Sequence, residues 1–271
     1  MVHVGALPGT PRSGEPVAGL AARAAAEAVI LAEAGFDGLI VENMHDAPYV
    51  HAGPWTGSTR AGHGPEIVAG MTRCVLAVLE ALDKARVSVR VGVQVLSGGA
   101  VEAIGIAHAC GLSGRGAGGF VRCENFVFAH VADEGLLERA EAGGLLRYRK
   151  LIGAEGVEVW CDVKKKHASH AITRDVSLSE AVHGAEFFGA DAVIVTGAAT
   201  GAPTSATDVA AARGATRLPV LVGSGADPGS AKALFDAGAD GLIVGSFIKK
   251  GGVWKNGVDA ARCRAMVRAR G

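Results

Sequence analysis

The chain has 271 residues, and 27 Lys+Arg balance 27 Asp+Glu, so the formal net charge is zero. A neutral chain lacks the field that draws nucleic acid or an anionic membrane surface, and 49% apolar residues are too many for a disordered chain. No run of about 18 uncharged apolar residues is present to span a bilayer, which leaves a water-soluble globular protein unusually rich in glycine, with 40 residues.

Eight short apolar runs are read as strands. The first, 2–7, carries His3 and follows directly on Met1. The second, 39–43, ends in Glu42-Asn43 and is followed by His45 and Asp46. After it comes a stretch rich in Pro, Gly and His, 44–64, read as a loop on the C-terminal side of the strands, either a lid or oligomer contact or an ordered surface loop. The third, 89–95, carries Gln94. The glycine-rich segment 111–119 resembles a dinucleotide loop in composition, but it precedes a strand and is read as a helix-to-strand connection. The fourth strand, 119–125, carries Arg122, Glu124 and Asn125. The fifth, 157–164, carries Asp162 and Lys164 and runs on to Lys166 and His167. The sixth, 192–196, ends in Thr196-Gly197, with Thr200-Gly201 just beyond. The seventh, 219–223, and the eighth, 241–245, both end in Gly-Ser, as Gly223-Ser224-Gly225 and Gly245-Ser246.

A repeat sets the architecture. Gly35-Phe36-Asp37-Gly38-Leu39-Ile40-Val41, Gly189-Ala190-Asp191-Ala192-Val193-Ile194-Val195 and Gly238-Ala239-Asp240-Gly241-Leu242-Ile243-Val244 each follow an Ala-rich helical stretch. Glycine just past a helix end accepts the left-handed conformation that closes it. The apolar run after it suits a parallel strand buried on both faces. Eight such units predict one (β/α)8 TIM-barrel domain over 1–271. A doubly wound open sheet is the rival, and it lacks a Gly-x-Gly-x-x-Gly turn after the first strand. The front units are the longer ones, with the excess after strands two and four.

Five cysteines, with no Cys-x-x-Cys pair, exclude a disulfide framework or zinc knuckle. They are read as reduced thiols of a cytoplasmic protein, Cys123 and Cys161 packing in strands. No signal peptide is legible, and an organelle presequence ahead of Met1 is the alternative.

Phosphate binding needs converging N–H donors with no side chain in the way. The paired Gly-Ser ends therefore predict a phosphate or other anion at Gly197, Gly223, Ser224, Gly225, Gly245 and Ser246; sharp turns at the strand ends are the competing account. Lys249 or Lys250 could add charge there, but each is read first as a solvated lysine. Charged groups are rarely buried without partners, so the polar strand ends are expected to meet at the barrel mouth. Glu42, Asp162, Lys166 and His167 are the predicted catalytic groups, with Glu42 or Asp162 as general base and Lys164 or Lys166 as a nucleophile of lowered pKa. His3, Asn43, Asp46, Gln94, Arg122, Asn125, Lys164 and Thr196 are the predicted substrate contacts. A structural ion-pair network is the alternative. No cofactor is expected. A divalent metal on Glu42, Asp46, Asp162 and His167 is a minority reading, because no His or Cys pair has ligand spacing. His167 and His170 are read as facing solvent.

In its motifs the sequence resembles the BtpA family. The matching pieces are 1–9 (MVHVGALPG), 38–43 (GLIVEN) with Asp46-Ala47-Pro48, Phe120-Val121-Arg122, Arg147-Tyr148-Arg149, Asp162-Val163 with Lys166-His167-Ala168, Val195-Thr196-Gly197 with Thr200-Gly201, Gly223-Ser224-Gly225 and Ile243-Val244-Gly245. The resemblance implies a ribulose-phosphate-binding type of barrel. It also implies a link to photosystem I accumulation, with which the family's founding members are connected. The chain departs from the family at Gln94-Val95-Leu96-Ser97-Gly98-Gly99, where relatives carry Asn-Val-Leu-Arg-Asn-Asp, and at Cys123-Glu124, where they carry Val-Asn. These departures count against a shared substrate.

Two functions are expected. The first is an enzyme acting on a small phosphorylated metabolite by aldolase, isomerase or lyase-type chemistry. The second is a non-catalytic assembly or stability factor that uses the barrel as a platform. Neither takes nucleic acid or inserts in a membrane, and a homo-oligomer is expected on base rates.

Overall fold

The computed structural model describes residues 1–52, 62–197 and 203–270. Thr200, Gly201 and the centre of the 44–64 segment lie outside the described residues. In chain order the elements are β1 (Val2–His3), α1 (Val17–Glu33), β2 (Gly38–Glu42), α2 (Pro65–Lys84), β3 (Arg90–Gln94), α3 (Ala100–Ala109), β4 (Gly119–Cys123), β5 (His130–Ala132), β6 (Gly135–Leu137), α4 (Ala142–Leu151), β7 (Val157–Val163), β8 (Ala168–Ser169), α5 (Leu178–Phe187), β9 (Ala192–Val195), α6 (Ala206–Ala215), β10 (Val220–Val222), α7 (Ala231–Asp236), β11 (Gly241–Leu242) and α8 (Ala260–Arg268). The parallel strands β1–β4, β7 and β9–β11 fall on the eight predicted runs, and their alternation with helices is that of a (β/α)8 barrel.

The chain divides by its contacts into two compact units, Met1–Arg122 with Leu145–Glu158, and Cys123–Gly144 with Val159 onward. In the first unit β1, β2, β3 and β4 pair in that order, and their register aligns Val2, Val41, Val93 and Val121. All four valines are buried, as expected of strands covered on both faces. Helix α1 turns Leu20, Ala24, Ala28 and Leu31 inward at helical spacing, and α2 does the same with Met71, Val75, Val78 and Leu82. Gly92 stands opposite Phe120, and a Cβ there would lie 2.3 Å from the Phe120 ring. In the second unit β7, β9, β10 and β11 pair in order, with Cys161, Val193 and Val220 in one buried row. Helix α5 starts on a capping box, Ser177 and Glu180 each taking the other's backbone N–H.

The repeat works as the sequence suggests. Gly35, Gly189 and Gly238 have φ of +97°, +86° and +102°. After each, the next N–H reaches back five residues, Phe36 to Leu31, Ala190 to Ala185 and Ala239 to Leu234. The repeated aspartate then serves a neighbouring strand. Asp191 accepts from the Val159 N–H and Asp240 from the Val220 N–H, each at 2.8 Å.

Three expectations needed correction. Strand 2–7 shortens to β1, because the Leu7 N–H goes to the Asp46 side chain instead of a neighbouring strand. Strand 241–245 shortens to β11, after which the chain turns through Gly245 and Ser246. The excess after strand four is the β5–β6 hairpin, which β8, beyond strand five, extends into a small antiparallel sheet of order β6-β5-β8 that the strand pattern missed. Its hairpin pairs Ala132 with Gly135 across Asp133-Glu134, and Gly135 has φ +119°.

Candidate functional site

In the first unit the polar residues at the ends of β1, β2 and β3 form a hydrogen-bonded knot. Asn43 donates Nδ2–H to Asp46 at 2.8 Å and to the Leu96 carbonyl at 3.2 Å, and its Oδ1 accepts the Leu96 N–H at 2.7 Å. Asp46 also accepts the Leu7 N–H at 2.8 Å. Burial pushes the Asp46 carboxyl above its ordinary pKa, against the downward pull of these two bonds. The three trailing loops are thereby stitched together, so Asn43 and Asp46 have a structural task as well as the predicted one. His3 Nε2 lies 3.6 Å from Glu42 Oε2, both side chains nearly buried, and the His45 ring stands edge-on to His3. Such a pair can hold and move a proton. Gln94, the last residue of β3, keeps a buried Oε1 with no partner among the described residues. Arg122 is buried near the end of β4.

In the second unit a different group gathers. Lys165 Nζ lies 3.2 Å from Glu124 Oε1 and 3.4 Å from Glu134 Oε1, with its side chain 7% exposed. Burial pulls the Lys165 pKa down, but Glu124 and Glu134 pull it up harder, and the net shift is upward. Lys165 is therefore a fixed cation, the reverse of the lowered-pKa lysine expected at Lys164 or Lys166. The reason is local geometry. Strand β7 stops at Val163, and Lys164 and His167 take φ of +48° and +53°. The strand's alternation ends there, and the turning chain carries Lys165 inward while Lys164 and Lys166 stay half-buried. The Lys166 N–H donates to Thr196 Oγ1 at 2.9 Å. His167 is exposed, 4.0 Å from Asp133 on the hairpin.

A small open cleft lies here, lined by Glu124, His130, Asp162, Lys164, Lys165 and His170 with apolar Val163, Val176 and Ala181. His170, expected in solvent, is half-buried; its Nε2 lies 3.0 Å from the Lys165 carbonyl, and its ring sits 5.5 Å from that of His130. His130 is buried, with no partner for Nε2 among the described residues. Asn125 donates to the Arg139 carbonyl at 2.6 Å, and its buried Oδ1 is likewise unpartnered among them. Lys165, Glu134 and His130 escaped the sequence reading. The available signal was the alternation around Asp133-Glu134-Gly135, which marks a hairpin.

The glycine loops belong to the same unit. Gly223 donates its N–H to the Val195 carbonyl at 2.8 Å, and Gly197 donates to Ser224 Oγ at 2.8 Å. Those two N–H groups serve the fold. The N–H groups of Gly225, Gly245 and Ser246 have no protein acceptor among the described residues. They follow β10 and β11, which are neighbouring parallel strands, so both loops leave the sheet at the same end. Lys249, expected in solvent, is fully buried beside a bridge to Val258.

Among the described residues no group of three or more His, Cys, Asp or Glu is arranged to hold a metal ion, and no helix is long and apolar enough to cross a membrane. The cysteines are free, and burial pushes the Cys123 and Cys161 thiols far above their ordinary pKa.

The structure of orotidine 5'-phosphate decarboxylase from Pyrococcus horikoshii superposes with a TM-score of 0.56 at 17% identity, covering 92% of this chain and 94% of that one. The likeness shows the fold, a (β/α)8 barrel. An uncharacterised protein of Caenorhabditis elegans, named as mitochondrial, is 40% identical over 97% of this chain and 88% of its own length. The photosystem I biogenesis protein BtpA of Synechocystis is 34% identical over 99% of this chain and 86% of its own length. A model of the BtpA family matches residues 1–270, and the chain belongs to that family.

Proposed function

We propose that this protein is an enzyme acting on a small phosphorylated metabolite, by aldolase, isomerase or lyase-type chemistry. The observation that carries the reading is the set of open N–H donors at Gly225, Gly245 and Ser246, in the loops after two adjacent parallel strands. Glycine at two of these positions lets an anion approach the backbone. In the same unit Asp162 lines a cleft of other polar groups, and the reading takes the substrate's phosphate to sit at the loops and its reacting carbon at that cleft. The phosphate in the name of the superposed decarboxylase supports the same class of ligand. Glu42, Lys166 and His167 remain candidate reacting groups. Five free thiols fit a reducing compartment, the cytoplasm or an organelle interior, and a symmetric homo-oligomer is the proposed state.

Thermal-shift screening against phosphorylated metabolites tests the reading. A ligand present at about 100 times its Kd adds about 2.7 kcal/mol, or several degrees in Tm. Stabilisation in the wild type that is lost in Gly245→Asp supports an anion in these loops. No stabilisation by any phosphorylated compound overturns it.

The name of the Synechocystis relative favours a second reading, a binding platform for assembly of another complex. Deletion of the gene followed by rescue with Asp162→Asn plus Lys166→Met separates the two. Full rescue favours the platform, and failure by a folded variant favours the enzyme.

A further inference from the structure

We propose that His130 is a substrate-polarising residue, a neutral imidazole that donates Nε2–H to the carbonyl oxygen of a phosphorylated hydroxy-ketone or hydroxy-aldehyde bound in the cleft of the second unit. The inference deepens the phosphometabolite reading above and rests on it.

His130 is 4% exposed and begins β5, and its Nε2 makes no hydrogen bond among the described residues. A buried polar atom left without a partner keeps an uncompensated desolvation cost. A bound ligand atom would remove that cost. The ring lines the cleft with Asp162 and Glu124, and the His170 ring packs against it at 5.5 Å. Burial first, then the Lys165 ammonium and His170, bring the His130 pKa down to about 4. The ring is thus uncharged near neutrality. A neutral imidazole is a donor that can hold a developing oxyanion without first being held by a carboxylate.

The surroundings select the acceptor. Glu124, Asp162 and Glu134 bring three carboxylates to this region against Lys164 and Lys165. That balance disfavours an anionic group beside His130, so the acceptor is an uncharged oxygen in the ground state. The phosphate belongs instead at the open N–H groups of Gly225, Gly245 and Ser246. Asp162, at the end of β7, is close enough to influence the His130 titration and is the base in this scheme. Its carboxylate takes the proton from the carbon next to the carbonyl. The C–H electron pair becomes the C=C bond, and the carbonyl π pair moves to the oxygen held by His130 Nε2–H. Return of a proton from Asp162 to carbon restores the carbonyl, with no oxidant or reductant.

The test is hydrogen exchange at carbon. Wild type and His130→Gln are incubated in D2O with dihydroxyacetone phosphate, D-ribulose 5-phosphate and D-fructose 6-phosphate. Deuterium next to the carbonyl is followed by ¹H NMR and binding by ³¹P NMR. The expected result is exchange by the wild type and at least about 100-fold less by His130→Gln, the loss typical of one such donor, with ³¹P perturbation retained. Binding without exchange in the wild type, or equal exchange in the variant, overturns the role of His130 and leaves the phosphate reading standing. No ³¹P perturbation by any of the three overturns both. If His130→Gln does not fold, ring ¹⁵N shifts of the wild type at pH 7 decide. The Nε2–H neutral tautomer supports the proposal, whereas an Nδ1–H tautomer or an imidazolium overturns it.

Discussion

The two polar clusters at the strand ends are held by different forces. In the first unit Asn43 and Asp46 bond to each other and to the backbone of Leu7 and Leu96 at 2.7–3.2 Å. In the second unit one ammonium, Lys165, is shared by two carboxylates, Glu124 and Glu134, all nearly buried. Hydrogen bonds to backbone fix loops in place and survive modest changes of charge. A buried ion cluster is stable only while its charges balance, because each unpaired ion carries a desolvation cost of several kcal/mol. The first cluster therefore behaves as a fastener, and the second as a charge-sensitive site.

The largest effect should come from breaking that balance. Lys165→Met removes the ammonium between two nearly buried carboxylates and is expected to cost about 3–5 kcal/mol by chemical denaturation. Adding Glu124→Gln and Glu134→Gln should recover much of the loss. A triple variant as unstable as the single one would show that Lys165 acts by packing alone.

Acid sharpens the contrast next. His130 is depressed in the folded protein to about 4 from the ordinary value of 6.5. Between those values the unfolded chain binds the extra proton, so stability is full above about pH 6.5 and is lost as pH falls. The loss is roughly 2 kcal/mol between pH 7 and pH 5. Denaturation of His130→Gln at both pH values should lack this component. Asp46 has the opposite sign. Its raised folded pKa means the folded chain holds the proton more tightly, so its titration favours folding as pH drops.

The smallest effect belongs to the fastener. Asp46→Ala leaves the Leu7 N–H and the Asn43 amide short of an acceptor, a cost of about 1–2 kcal/mol. The same denaturation curves measure it. A loss as large as that of Lys165→Met would erase the distinction between the two clusters.

Much of the fold could be read in the chain because its signals are local. A glycine after an Ala-rich helix, an aspartate two residues on and an apolar run need only neighbours within a few positions, and Gly35, Gly189 and Gly238 behave accordingly. Asn43 and Asp46 are three residues apart, so their meeting was also within reach of sequence. Lys165 was not. Alternation along a strand points to Lys164, and that rule fails once the strand stops at Val163 and Lys164 adopts a positive φ. Lys249 shows the same limit, since nothing in its immediate neighbours marks it for burial. The amino-acid sequence by itself determined the eight βα units and the glycines at the strand ends, because periodicity and backbone freedom belong to short segments. The tertiary structure decided that Lys165 becomes the buried cation and that the Gly197 N–H is taken up by the fold, because those depend on partners 27 to 41 residues away along the chain.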